Sequence, residues 1–157
     1  MLRPAGFRRR GSRFLRDVGD VVHLVQLQSS TQSTAAALRM TANLGVFSPV
    51  VDRALGGTIA EPTEPDCHWR ERLGFLTPAN SDVWWTVRES KNAAAVADEL
   101  KRDLAQGGLP TLDRLASTQA LRVLWESGAA PGLIDYERKR YLAALATRAS
   151  DTIAPVT

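Results

Sequence analysis

Leu38-Arg39-Met40-Thr41-Ala42-Asn43-Leu44-Gly45-Val46-Phe47 is the stretch that decides the fold. Leu38, Met40, Ala42, Leu44 and Val46 alternate without a break against Arg39, Thr41, Asn43, Gly45 and Phe47. Successive side chains of a strand point to opposite faces, so this run is a strand with one apolar face and one mixed face. Such a strand suits an antiparallel sheet packed on one side. Gly45 in its interior marks a bulge or a close backbone approach.

Working outward, residues 13–18 also alternate, Gly19-Asp20 interrupts, and residues 21–28 are β-branched and apolar. Glycine first in a two-residue loop suits a II′ turn, so these two runs form a hairpin. Val21, His23, Val25 and Leu27 share one face of it; Val22, Leu24, Gln26 and Gln28 share the other. Downstream, residues 50–55 read as a short helical turn closed by Gly56-Gly57, and residues 67–76 fit helix or strand equally. Residues 83–88, rich in β-branched and aromatic side chains, read as a further strand. From residue 90 the period becomes helical, with Ala93, Val96, Ala97, Leu100 and Leu104 on one face, Ser90 or Asn92 as the cap and Gly107-Gly108 as the terminator. Further helices are expected over residues 118–127 and 133–148. Strands followed by helices, rather than alternating with them, predict an α+β fold: an N-terminal antiparallel sheet packed against C-terminal helices. One domain over residues 1–150 and a frayed tail from Asp151 to Thr157 complete the layout.

The chain has 157 residues, 44% of them hydrophobic and 24% charged, which excludes wholesale disorder. Its net charge of +3 is uneven. Arg3, Arg8, Arg9, Arg10, Arg13 and Arg16 put six positive charges in the first sixteen residues, leaving 14 basic and 17 acidic residues, a net of −3, in the rest. Such a basic end either attracts phosphates or an acidic protein surface, or is a solvated edge that keeps the sheet from pairing with other chains. Cys67 is the only cysteine, so no internal disulfide forms. No stretch approaches the roughly 18 apolar residues of a membrane span; a cytoplasmic location and no membrane partner are expected.

Metal chemistry finds too few ligands. A closed zinc site takes four Cys or His, and the chain holds one Cys and two His. A nucleophilic Cys67 needs a base, for which His23 is the better spatial candidate than the adjacent His68; otherwise Cys67 is a buried small hydrophobe. Trp84 and Trp85 point to opposite faces of their strand, one into the core and one outward, where it stacks on Arg70 or Arg72, on a partner, or under a helix. Gln26, Gln28, Asn43, Arg70, Arg72 and Asp82 form the polar set of most interest. Arginine forks match carboxylates and phosphates, so this set either holds an anion or a partner's carboxylate, or closes internally through an arginine–Asp82 pair.

Gly6-Phe7 followed by basic residues, the Gln28-Ser29 strand end, Asn43-Leu44-Gly45-Val46, Cys67-His68-Trp69-Arg70-Glu71-Arg72-Leu73-Gly74 and Asp82-Val83-Trp84-Trp85 occur in this order. The series resembles the bacterial domain-of-unknown-function family 4304 over about residues 2–110. The resemblance implies a compact α+β domain and transfers no activity, cofactor or catalytic residue.

No glycine-rich phosphate loop and no nucleophile elbow is present. The reading is therefore a non-catalytic protein-interaction module of accessory or toxin-neutralising type, without cofactor or metal. Its candidate binding residues are Arg8, Arg9, Arg10, Arg13, Gln28, Asn43, Arg70, Arg72 and Trp84. Nucleic-acid binding through the arginine strip is the alternative, and an enzyme using His23, Cys67 or Arg70/Arg72 ranks last.

Overall fold

The computed structural model describes residues 1–151 of the chain. Strands β1 (Arg8–Arg10), β2 (Arg13–Val18), β3 (Val21–Ser29), β4 (Leu38–Phe47), β5 (Trp69–Arg72) and β6 (Trp85–Val87) form one sheet. Its order is β1-β2-β3-β4-β5, all antiparallel, with β6 also pairing β4. Helices α1 (Pro49–Ala54), α2 (Glu89–Asp103), α3 (Leu109–Arg114), α4 (Thr118–Glu126) and α5 (Asp135–Asp151) supply the second layer. The fold is the expected α+β arrangement of an antiparallel sheet with C-terminal helices. The expected frayed tail lies outside the described residues beyond Asp151.

The alternation of β4 sorts its neighbours. Ala42, Leu44 and Val46 are fully buried in the main core with Val21, Val25, Trp69 and Trp85 from the sheet and Leu104, Leu112, Leu121 and Trp125 from the helices. This is the inner face. On the outer face a smaller cluster joins Leu15, Leu24, Phe47 and Cys67, and among the described residues none of α2–α5 belongs to it. The segment after α1 crosses there instead: Arg13 donates to the Pro62 carbonyl (2.7 Å) and the Cys67 thiol to the Thr63 carbonyl (3.4 Å).

Gly45 is a close approach and not a bulge, since the β3–β4 register runs unbroken through it. A Cβ there would stand 2.5 Å from Cys67 Sγ. Gly19 has φ +56° while Asp20 is not in the left-handed region, as a II′ turn requires. Asp20 then accepts the Thr118 backbone N–H (3.0 Å), which ties the hairpin to the start of α4.

Residues 67–76 resolve into β5 followed by a 3₁₀ turn, Leu73–Leu76. The expected strand at 83–88 shortens to β6. Asn92 caps α2 from inside, its Oδ1 accepting the Arg88 N–H (2.8 Å).

Gly107-Gly108 does not end the helix as its sequence suggests. The backbone stays right-handed through a π turn, Leu104–Gly108, and enters α3 directly. Pro110 at the start of α3 has no N–H to continue the α ladder, so the register shifts by one residue ahead of it. Small side chains are needed for packing: a Cβ on Gly107 would collide with the Leu76 carbonyl, and one on Gly108 would press on Leu44, Leu73 and Leu104. In an open helix, glycine to alanine stabilises by about 1 kcal/mol. Here Gly107→Ala is expected to destabilise, by about 1–3 kcal/mol from overpacking. Chemical denaturation checks the sign, and a raised midpoint would contradict the close packing.

Candidate functional site

The β-pleat decides which polar residues meet. Cross-strand partners share a face, and the register Arg13↔Gln26, Gln26↔Asn43, Asn43↔Arg72 puts those four side chains in one row on the outer face. Arg70, two residues from Arg72, shares it. Beyond the crossing segment this face stays open as a groove of about 490 Å³. Gln28, Asn43, Arg70, Arg72 and Asp82 line it, as the sequence brought them together. Gln26 does not.

Inside the groove Asn43 donates to Gln28 Oε1 (2.7 Å). Arg72 Nη1 donates to Asp82 Oδ2 (2.5 Å), and this bond above all holds the Asp82 carboxyl below its ordinary pKa. Trp84 faces outward and Trp85 inward. The Trp84 ring lies 5.3 Å from the Arg72 guanidinium and 5.6 Å from that of Arg39, and its Nε1 donates to Asp82 Oδ2 (3.1 Å). Arg70 is held differently. It donates twice to the Gly132 carbonyl (2.7 and 3.2 Å), with Glu64 and Glu137 only at 4.0 and 3.9 Å. Thus the internal arginine–Asp82 pair forms, but through Arg72 alone, and the tryptophan stacks on Arg72 and not on Arg70.

Sequence reasoning missed Glu64, Glu71, Phe75 and Gly132 on this groove, and Arg39 beside it. Glu71 is half-buried, and desolvation raises its pKa. Arg39 could have been found, because the β4 alternation already places it on the face of Asn43. Gly132 had a weaker signal, since Pro131-Gly132 separates the two helices expected over residues 118–127 and 133–148; its φ is +72° and a Cβ there would strike the Arg70 backbone. A second recess, lined by Gln28, Ser29, Gln32, Arg39 and Trp84, adjoins the groove at Gln28.

The arginine strip is not one surface. Arg8↔Leu15 and Arg10↔Arg13 belong to the outer face, while Arg9↔Phe14 and Arg16↔His23 belong to the inner one. Arg8 pairs with Asp17 (2.6 Å), Arg10 with Glu61 (3.1 Å) and Arg16 with Asp113 (2.5 Å), so half of the six charges already have acids.

The candidate acid-base groups are all buried away from the groove. Cys67 is 1% exposed in the outer cluster, and burial raises its thiol pKa, so it stays protonated. His23 is on the inner face, so the sheet separates it from Cys67; the catalytic pairing does not form, and Cys67 is the buried small hydrophobe of the other reading. His23 Nε2 donates to the Leu115 carbonyl (3.1 Å), leaving Nδ1 to accept from Arg16 (3.0 Å), and burial lowers its pKa. His68 Nδ1 accepts the Ser48 N–H (3.0 Å), its ring stacks on Phe47, and burial lowers its pKa to about 4. Among the described residues no group of three His, Cys, Asp or Glu is placed to hold a metal ion, and no helix is long and apolar enough to cross a membrane.

No curated protein and no solved structure matches the chain. A domain of unknown function, DUF4304, matches residues 1–114, from the first turns through α3. That span is most of the chain and includes every strand, which confirms the resemblance read from the Gly6-Phe7, Asn43-Leu44-Gly45-Val46 and Cys67–Gly74 segments: the chain belongs to the DUF4304 family.

Proposed function

We propose that this chain is a non-catalytic module of the bacterial cytoplasm that binds another protein through the open outer face of its sheet. One observation carries the reading. A groove with preset arginine, amide and carboxylate groups and a half-exposed tryptophan at its edge is left uncovered on a sheet whose other face is packed by helices over most of its area. Arg72 is fixed by Asp82 and by stacking, so little rotamer entropy is lost when it meets a partner. Trp and Arg are the residues that most often anchor interfaces. The buried, protonated Cys67 and the two buried histidines offer the groove no nucleophile or base. Nucleic-acid binding is disfavoured by the pleat that divides the arginines and by the acids that pair with them.

The test is affinity recovery from native lysate with the tagged chain and with an Arg72→Ala/Trp84→Ala variant, each with and without nuclease. Both side chains are partly buried but lie outside the core clusters, so the variant should stay folded, which its denaturation curve checks. A stoichiometric protein retained by the parent chain, insensitive to nuclease, and bound at least about tenfold more weakly by the variant supports the proposal. Equal retention by both removes the outer groove from the interface. Material lost with nuclease moves the function to nucleic acid.

A further inference from the structure

The inner face has an unfilled lane of its own. Between the β1–β2 edge of the sheet and α2 runs an apolar groove of about 450 Å³. Phe14 and Leu27 line it from the sheet, Leu2 from the N-terminal turns, and Ala97, Leu100 and Leu104 from the helix side. The helix-side residues, with Lys101, fall at i, i+3, i+4 and i+7. This is the spacing of the stripe that one helix presents to another. Elsewhere the inner face of the sheet is closed by α3, α4 and the π turn, whose Leu112, Leu121 and Leu104 reach the core.

The charges on this lane are of one sign: Arg3, Arg9 and Lys101 line it, and among the described residues no acid does. Lys101 leans on Asp98 (2.8 Å). Arg9 stands on the inner face through its register with Phe14, and among the described residues its side chain bonds only the Gly11 carbonyl (2.9 Å). Arg3 has no side-chain partner among the described residues. An apolar stripe between cations is complementary to a helix with an apolar stripe flanked by acids. We propose that this groove docks an amphipathic, acid-flanked helix of a partner protein. The site lies on the opposite face of the sheet from the Arg72–Trp84 groove, so each stands or falls without the other.

The probe is a synthetic helical peptide with leucines at i, i+3, i+4 and i+7 flanked by glutamates, titrated into the isotope-labelled chain and read by amide shifts. A control peptide carries lysines in place of the glutamates. Expected are saturable shifts at Phe14, Leu27, Ala97 and Leu100, and at least about tenfold weaker binding of the lysine peptide, by charge complementarity. Ala97→Trp, which fills the lane, should abolish the shifts. Arg3→Glu/Arg9→Glu, changed at exposed positions that leave the core intact, should reverse the preference between peptides. Equal binding of both peptides, or shifts that survive Ala97→Trp in a folded protein, overturns the proposal. So does dodecanoate producing the same shifts where the glutamate peptide produces none, or a dimer of this chain that closes the groove.

Discussion

Replacing Trp125 by alanine is expected to cost about 3–5 kcal/mol, the range for truncating a buried tryptophan. The side chain is fully buried, in the core cluster that also holds Leu44, Val46 and Trp69, and its ring lies 5.4 Å from that of Tyr141. Natural domains hold only about 5–15 kcal/mol in total, so the variant should be largely unfolded well below the parent's melting temperature. Trp125→Phe is a sharper control. The indole Nε1 has no hydrogen-bond partner among the described residues, so phenylalanine forfeits no bond seen there and should cost only about 1–2 kcal/mol in volume. Residue 125 lies beyond the family match, which ends at 114, yet it shares one core with the matched strands. Denaturant midpoints for the two variants check this. A loss from Trp125→Ala below about 1 kcal/mol, as at a surface site, would mean that α4 and α5 are dispensable to the sheet.

Acidification is the second large effect. His68 has a pKa of about 4 in the fold, against an ordinary 6.5, because burial disfavours its charged form. The unfolded chain therefore binds more protons than the native one between these values. Stability is full above pH 6.5 and falls as the pH drops towards 4, by about 3 kcal/mol at roughly 1.4 kcal/mol per pKa unit. His23, also lowered by burial, adds to the loss in the same direction. Denaturation curves at pH 7, 6, 5 and 4 measure the slope. His68→Phe should be less stable at pH 7, because the Ser48 N–H loses its acceptor, but it should show a shallower decline. An unchanged decline in that variant would place the titration elsewhere.

The sheet was legible because its strands obey a two-residue period over long runs. The alternation of residues 38–47 assigned both faces correctly, and the Gly19-Asp20 step gave the hairpin and its turn. Gly107-Gly108 misled because a terminator and a close-packed helix use the same residue type. Only the position of Leu76, over thirty residues earlier, tells them apart. The same limit governs the groove. Gln28 and Asn43 could be grouped from strand positions, and Arg70 and Arg72 joined them only as candidate partners because residues 67–76 fitted helix or strand equally, whereas Glu64 and Gly132 reach the groove through segments that no period predicts. The arginine strip failed as a unit for a local reason that was available: a strand sends neighbours to opposite faces, and Arg8, Arg9 and Arg10 are neighbours.

The tie between Asp20 and the Thr118 amide, with that between His23 and the Leu115 carbonyl, has a consequence for synthesis. The hairpin leaves the ribosome first, and these partners follow it by 98 and 92 residues respectively. At about 5–20 residues per second, the finished hairpin waits roughly 5–20 s for the groups that satisfy its buried imidazole and fix its turn. During that interval the inner face of β3 is an uncovered apolar surface. The nascent chain must therefore stay unaggregated for longer than a hairpin takes to form by several orders of magnitude.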